Sequence, residues 1–555
     1  MNHSGVSDLV PGEGRSRWSE KGIYPVKSLY ELFCEQAWRH PDSPAVISLD
    51  RTVNYIALLN KVQRLASSLK ALGIVAGDVI AYQLPNSWHS CAIDLAAAAL
   101  GAIVAPFPPG RGRLDIQSLL RRCDARVMIV ERKYAGVDLC ELIDSIRPTL
   151  LSLRVLVVDG EACDGWHALD GLFQAEPMNP DTFPAVSPDS PVRFLVSSGT
   201  ESEPKWVAYS HNALAGGRGR FLQRIHPDGK TFSGLYLMPL GTAFGSTATA
   251  GVLSWLGGTV AVLRQFDTAA AIQAIAQLKP AYILGVPTMF QRIAADPALA
   301  QTDTSSLIAI ISGGAEIDAA SIRRCTEAFR CGFISLYGSA DGVNCHTMLD
   351  DNPEAVFRKA GRPNPDVCSI RIVDDRKQEV PQGRVGEIAA RGPISPMQYV
   401  NAPDLDARYR DKEGWVYTGD LGLIDEDGYL VLSGRKKDII IRGGVNISPA
   451  QIESIAASHP AVVSAACVPV ADPDLGHRVC LCLVLRDGAE RPSLSQFTGY
   501  LHKQGLEKSK LPEYLRYYRQ LPLSPAGKVD KKRLAAEIEF AQRRPEPGVA
   551  QQGTH

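Results

Sequence analysis

Residues 194–207 read Phe-Leu-Val-Ser-Ser-Gly-Thr-Glu-Ser-Glu-Pro-Lys-Trp-Val, an apolar strand that runs into hydroxyls, a glycine and then a lysine behind a proline. Ser197, Ser198 and Thr200 can donate to phosphate oxygens, Gly199 lets backbone amides come close, and Lys205 brings a mobile positive charge. This is phosphate-binding chemistry without a Walker A loop, because GxxxxGK[ST] is absent. A polar hairpin loop with a surface lysine has the same composition, so the segment alone leaves both readings open. Charge is concentrated again in Gly434-Arg-Lys-Lys-Asp438, which no core would accept, and around Lys528, which follows Ser-Pro-Ala-Gly and precedes Lys531, Lys532 and Arg533. Solvated charge runs would look similar.

Such residues need a scaffold. Short β-branched runs at 79–81, 126–130, 154–158, 259–263, 282–286 and 307–311 alternate with amphipathic segments such as Tyr55 to Leu72 and Ala269 to Leu278. That alternation predicts α/β layers with doubly wound sheets, whose strands are covered on both faces. Asp425 to Gly428 predicts a hairpin turn between 421–424 and 429–432, and the charged run after it reads as an interdomain hinge. A new strand at 439–441 and a helix capped by Ser448 and Pro449, with Ile452, Ile455 and Ala456 on one face, then begin a small α+β domain. The expected division is a polar extension over 1–26, a large body over 27–434, a small domain over 435–542 and a flexible tail over 543–555.

Composition narrows the function classes. The chain has 555 residues, 59 Lys plus Arg against 60 Asp plus Glu, and 45% hydrophobic residues, an ordinary soluble multidomain composition. Balanced charge argues against a nucleic-acid partner, since duplex affinity needs clustered cations. The 12 cysteines include no CxxC, so neither a zinc site nor a disulfide framework is expected, and they read as buried thiols of a cytoplasmic protein. The stretch from Ala92 to Phe107 carries Asp94 and ends in prolines, which reads as a buried helix and strand and not a membrane span.

Taken in order, these segments resemble those of the acyl-adenylate-forming superfamily of acyl- and aryl-CoA synthetases, standalone aryl-acid ligases, adenylation domains and luciferases, over about residues 25 to 540. Residues 197–205 (SSGTESEPK) are similar to its phosphate loop, and Ser312-Gly313-Gly314-Ala315-Glu316 to the segment along the adenine. Tyr337-Gly338-Ser339-Ala340-Asp341 stands at its YGxTE motif, Tyr417-Thr-Gly-Asp420 at its ribose aspartate, Arg435 and Lys437 at its hinge, and Lys528 at its catalytic lysine. The resemblance implies a β-barrel-like subdomain in the body and a mobile C-terminal domain. It also implies ATP and Mg²⁺ as cofactors, with Asp341 as metal ligand where a glutamate is usual. Asp420 suits two vicinal ribose hydroxyls, Tyr337 offers a flat face to the purine, and Lys528 would stabilise charge growing on the α-phosphate. Glu201, Ser202 and Trp206 depart from the usual Thr, Gly and Gly, and Glu201 puts negative charge near a triphosphate. Ala340 replaces a common threonine, as in aryl-acid ligases.

The resemblance places the acid pocket at Thr242, Ala243 and Phe244. Residues 237–248 hold no carboxylate to pair an α-ammonium, and Ala243 cannot meet a ring hydroxyl, so an apolar aromatic, alicyclic or medium-chain acid is expected. The implied second half-reaction passes the acyl group to a thiol, with Gly443 and Gly444 beside the thiol channel once the small domain swings about Lys437. Coenzyme A is the expected acceptor. A phosphopantetheinyl carrier protein, as in natural-product biosynthesis, is the alternative, and a catalytically weak adenylate-binding protein is a second. The expected assembly is a monomer or homodimer.

Overall fold

The structure, a computed structural model, describes residues 5–197, 204–226, 230–315, 317–442, 445–524 and 528–543. Two large sheets form the body. The first has nine strands in the order 362–363, 344–346, 332–338, 309–313, 282–285, 233–236, 259–262, 44–47 and 52–54. Its six inner strands are parallel, and antiparallel pairs close both edges. The second has eight strands in the order 398–399, 205–210, 191–197, 103–106, 79–83, 127–131, 155–159 and 167–168, parallel except where Lys205–Ser210 meets its two neighbours. The β-branched runs read from the sequence are these strands, which are buried along nearly their whole length because helices cover both faces.

The stretch 92–107 forms the helix Trp88–Leu100 and the strand Ile103–Pro106. Its Asp94 is buried, held by Tyr82 Oη at 2.9 Å, Thr249 Oγ1 at 2.9 Å and the guanidinium of Arg193. Among the described residues no helix is long and apolar enough to cross a membrane. All 12 cysteines are free, nine of them buried and three half-buried.

The barrel-like subdomain is a four-stranded antiparallel sheet of Ser369–Val373, Gly386–Arg391, Val416–Ile424 and Leu430–Arg435. The Asp425 to Gly428 turn joins its last two strands: Asp425 Oδ1 accepts from the amides of Asp427 at 3.0 Å and Tyr429 at 2.9 Å, and Gly428 takes a φ of +82°. Beyond it, Ile440–Arg442, Val445–Ile447, Val462–Asp472, Gly476–Leu485 and Tyr514–Tyr518 form a separate sheet under the helices Pro449–Ala457, Leu494–Lys503 and Lys531–Arg543. Ser448 does precede the first of these helices, but its hydroxyl makes no cap. It donates instead to Ser433 O at 2.6 Å, across the charged run.

The polar N-terminal stretch packs more closely than its composition suggests. It forms the helix Gly12–Glu20, buries Val6, Val10, Ile23 and Tyr24, and is tied to the body by Tyr24 Oη to Pro393 O at 2.9 Å.

Candidate active site

Ser197 and Lys205 are partners across two antiparallel strands, so the phosphate-loop segment is the connection of a hairpin. Ser198, Gly199, Thr200, Glu201 and Ser202 lie outside the described residues. Lys205 is not the mobile charge that its loop setting suggested. It is buried, with Nζ 4.5 Å from the ring centroid of Tyr399, 4.6 Å from that of Tyr409 and 4.0 Å from Asp341 Oδ1. Aromatic faces stabilise a desolvated ammonium without neutralising it. Tyr399 Oη donates to Asp341 Oδ1 at 2.6 Å, and the Asp341 amide donates to Ser339 Oγ at 3.0 Å, so Tyr399 supports both the lysine, through its ring, and the carboxylate, through its hydroxyl. Neither tyrosine stood out in the sequence.

Trp206 points the other way. Strand alternation sends it into the core, fully buried, where Nε1 donates to Leu119 O at 2.9 Å beside Phe107 and Phe194. Its departure from the family's glycine therefore leaves the site side of the strand unchanged.

The second cluster forms where the four-stranded sheet meets the first large sheet. Asp420 and Arg435 are cross-strand partners, with Arg435 Nε 2.9 Å from Asp420 Oδ1, while Tyr337 Oη donates to Oδ2 at 2.7 Å. Tyr337 thus meets Asp420, the predicted ribose ligand, through its hydroxyl, a contact that the flat-face reading did not include. Burial pushes the Asp420 carboxyl up, opposed by Arg435 and then by Tyr337. Gly313 ends the strand Ala309–Gly313, and Gly314 and Ala315 follow it, exposed, at the carboxyl edge of the parallel sheet, where ligands of α/β folds bind. Gly338 likewise ends its strand and is exposed.

Lys528 reaches this cluster from the C-terminal sheet. A Cβ on Gly314 would lie 3.6 Å from Lys528 Cε, so the lysine stem runs along the segment Gly313 to Ala315, predicted to follow the adenine. Ser524 and Lys528 clasp each other, with Ser524 N to Lys528 O at 2.6 Å and Lys528 N to Ser524 Oγ at 3.3 Å. Burial pushes the Lys528 ammonium down to about 8; Arg435 lowers it further and Asp420 opposes. Lys437 stands at the rim, with Nζ 5.6 Å from the Tyr409 ring. Gly443 and Gly444 lie outside the described residues.

The predicted acid segment borders the same cluster. Thr242, Ala243 and Phe244, with Pro239, are the half-exposed residues of an otherwise buried stretch, and a Cβ on Gly313 would lie 3.4 Å from Phe244 Cε1. The Thr242 hydroxyl is occupied by its own turn, donating to Pro239 O at 2.8 Å and accepting from Gly245 N at 3.0 Å, so Thr242 shapes the pocket more than it offers a contact. Asn86 pins the start of the segment, with Nδ2 to Met238 O at 3.0 Å and Oδ1 from Leu240 N at 2.8 Å. Sequence reading missed Arg218. It is buried, its Nη1 donates to Ala243 O at 3.0 Å, its guanidinium lies 5.1 Å from the Tyr209 ring centroid, and its Nε and Nη2 are buried without partners. An unpaired buried donor costs about 1–3 kcal/mol, more when charged.

A two-sheet α/β body that carries cations at strand ends, with a lysine delivered by a separate small domain, defines a nucleotide-dependent ligase architecture. The AMP-binding enzyme family model matches residues 33–400 and its C-terminal domain model matches residues 451–528, so the chain belongs to the AMP-binding enzyme family and is an adenylate-forming ligase. It is 29% identical over 529 residues to the medium-chain fatty-acid–CoA ligase of Escherichia coli K12, covering 94% of this chain and 93% of the relative. It is 28% identical over 533 residues to the 2,3-dihydroxybenzoate-AMP ligase of Bacillus subtilis 168, covering 95% and 97%. Among solved structures, the amide bond synthetase McbA of Marinactinospora thermotolerans superposes with a TM-score of 0.79 at 26% identity, covering 92% of this chain and all of that one.

Proposed function

We propose that this chain is an ATP-dependent carboxylic acid ligase that forms an acyl-AMP and passes the acyl group to a thiol, with coenzyme A as the acceptor. The supporting observation is the convergence of Lys528, Gly314, Arg435, Asp420 and Tyr337, drawn from distant parts of the chain, on one cluster beside Phe244. Asp420 takes the ribose hydroxyls, Arg435 holds the aspartate and faces the phosphates, and Lys205 and Lys528 neutralise charge as the carboxylate attacks the α-phosphate. Backbone atoms of Gly313, Gly314 and Ala315 lie along the adenine.

Asp341 suits Mg²⁺: Tyr399 occupies Oδ1, while Oδ2 accepts no hydrogen bond among the described residues. One carboxylate with nucleotide phosphates is a donor set this ion accepts, and when bound it would neutralise phosphate charge. The acceptor then requires Lys528 to leave, which rotation about Lys437 provides while bringing Gly443 and Gly444 to the thiol. The frame of the acid is apolar, as Phe244 and Ala243 suggest. A phosphopantetheinyl carrier is the alternative acceptor, and a cytoplasmic location suits either one.

The test is acid-dependent ATP–pyrophosphate exchange over a panel of carboxylic acids, followed by AMP release with coenzyme A or a loaded carrier. Lys528→Ala is expected to lower exchange by about 10²–10³-fold, by analogy with a lost oxyanion donor. Absence of exchange with every acid sinks the ligase reading in favour of a weak adenylate binder. Full activity in Lys528→Ala removes the role given to that lysine.

A further inference from the structure

Arg218 ends the segment Ala213–Arg218, which runs as a π-helix, a wide turn often found at functional sites. The turn is locked from two sides: a Cβ on Gly216 would lie 2.4 Å from Ile23 O, and one on Gly217 2.7 Å from Ile394 Cα. The arginine therefore cannot be moved by sliding its helix. Arg218 is 7% exposed and its guanidinium lies against the Tyr209 ring, and Tyr209 Oη donates to Ala340 O at 2.7 Å. Arg218 is thus wedged between Ala243 on the acid segment and the Ala340 corner that carries Asp341. Of its five donors, the Ala243 carbonyl takes one and the Tyr209 hydroxyl also interacts with the guanidinium, but Nε and Nη2 stay buried without a partner of normal geometry and among the described residues no carboxylate pairs with it.

Other buried arginines also leave an N–H without a partner, Nε of Arg193 among them, but Arg193 is matched to Asp94 and Arg410 to Asp406, whereas Arg218 faces no carboxylate among the described residues. Ala243 offers a substrate no polar side chain, but its carbonyl holds beside it a cation that does.

We propose that Arg218 is a specificity-determining residue of the acid pocket, and that the preferred acid carries an acceptor oxygen besides the reacting carboxylate, on an otherwise apolar frame. The proposal rests on the ligase reading and replaces its wholly apolar acid with one that has a single oxygen substituent: oxo, phenolic or a second carboxylate. Guanidinium N–H groups left in place would reject an acid that cannot meet them, because binding it would keep a buried charge unpaired.

Matched acids test this by pyrophosphate exchange: cyclohexanecarboxylate against its three oxo derivatives, and benzoate against the three hydroxybenzoates and three benzenedicarboxylates. Wild type, Arg218→Met and Arg218→Lys are compared, with thermal melting to establish folding. In wild type at least one oxygen-bearing acid is expected to exceed its plain parent by about 10-fold or more in kcat/KM, the scale of a charge-assisted hydrogen bond. Arg218→Met should erase that preference, lowering kcat/KM for the oxygen-bearing acid by about 10-fold more than for the plain parent, and Arg218→Lys should keep part of it. Equal use of plain and substituted acids by wild type overturns the proposal. So does a loss in Arg218→Met that falls on all acids in the same proportion, since the residue would then be a prop or a grip on the reacting carboxylate. If Arg218→Met is unfolded, the wild-type ratio and Arg218→Lys decide. Failure of wild type to exchange with any acid is a different result, and it removes the ligase reading first.

Discussion

Lys528 has an ammonium that is driven toward neutrality near physiological pH, and the cause is visible around it. The drop from an ordinary 10.5 to about 8 comes first from burial and then from Arg435, with Asp420 opposing. It corresponds to roughly 3 kcal/mol against the charged form. If adenylation needs the charged lysine, kcat/KM for ATP, which reports the free enzyme, should be half-maximal near pH 8 and fall about tenfold per pH unit above it. The same shift makes the folded state gain stability as pH rises from about 8 toward 10.5, because the unfolded chain then holds the extra proton. Titration of this residue therefore cannot unfold the protein over the range where activity falls. Initial rates of pyrophosphate exchange at low ATP, from pH 6.5 to about 9.5, would show the limb. Arg435→Gln removes a like charge and should move it to higher pH, Asp420→Asn removes a counter-charge and should move it lower, and Lys528→Arg should abolish it. A profile flat through the alkaline range, or a limb that stays put in both Arg435→Gln and Asp420→Asn, refutes the reasoning.

Two stability predictions follow from residues outside the chemistry. Trp206→Ala should cost about 3–5 kcal/mol in denaturant unfolding, through a core cavity and the lost bond to Leu119, while exchange activity at low temperature stays near wild type. Asp94→Asn should cost a similar amount, about 3–5 kcal/mol, because the buried Arg193 loses its counter-charge, and a chevron or equilibrium melt reads it directly.

Much of the fold was legible because strand and helix periodicity is a local property. The runs at 79–81, 282–286 and 307–311 became parallel strands, and Tyr55 to Leu72 became a helix beginning at Tyr55 and ending at Ala71. The packing of the N-terminal stretch was not legible, because its buried apolar residues among those described, Val6, Val10, Ile23 and Tyr24, are few and fall in two widely spaced pairs, and its ties to the body, such as Ser7 N to Gln398 Oε1, join residues far apart in the chain. Within the site, residues in ordered motifs could be named beforehand. Those that act through space could not: Tyr399 and Tyr409 meet Lys205 from about two hundred residues away in the chain. Arg218 sits in Gly-Gly-Arg-Gly-Arg, a local pattern that does not tell which side the arginine faces; the structure shows the two glycines bringing the helix against Ile23 and Ile394.

The near-zero net charge leaves each site cation to be governed by its immediate partners. Lys205 is held 4.0 Å from Asp341 and Arg435 is 2.9 Å from Asp420, so both are partly compensated before a nucleotide arrives. Lys528 differs, because its nearest charges pull in opposite directions and its desolvation is not repaid within the protein. On the ligase reading a triphosphate would supply the missing counter-charge, raise the pKa of Lys528 and favour the small domain as it is docked here. Departure of pyrophosphate would withdraw much of that charge. Leaving the site would then cost the lysine less, and water would restore the hydration that docking removed. On that reading, the same desolvation that sets the alkaline limb would bias the domain to release after adenylation, when a thiol acceptor would need the space.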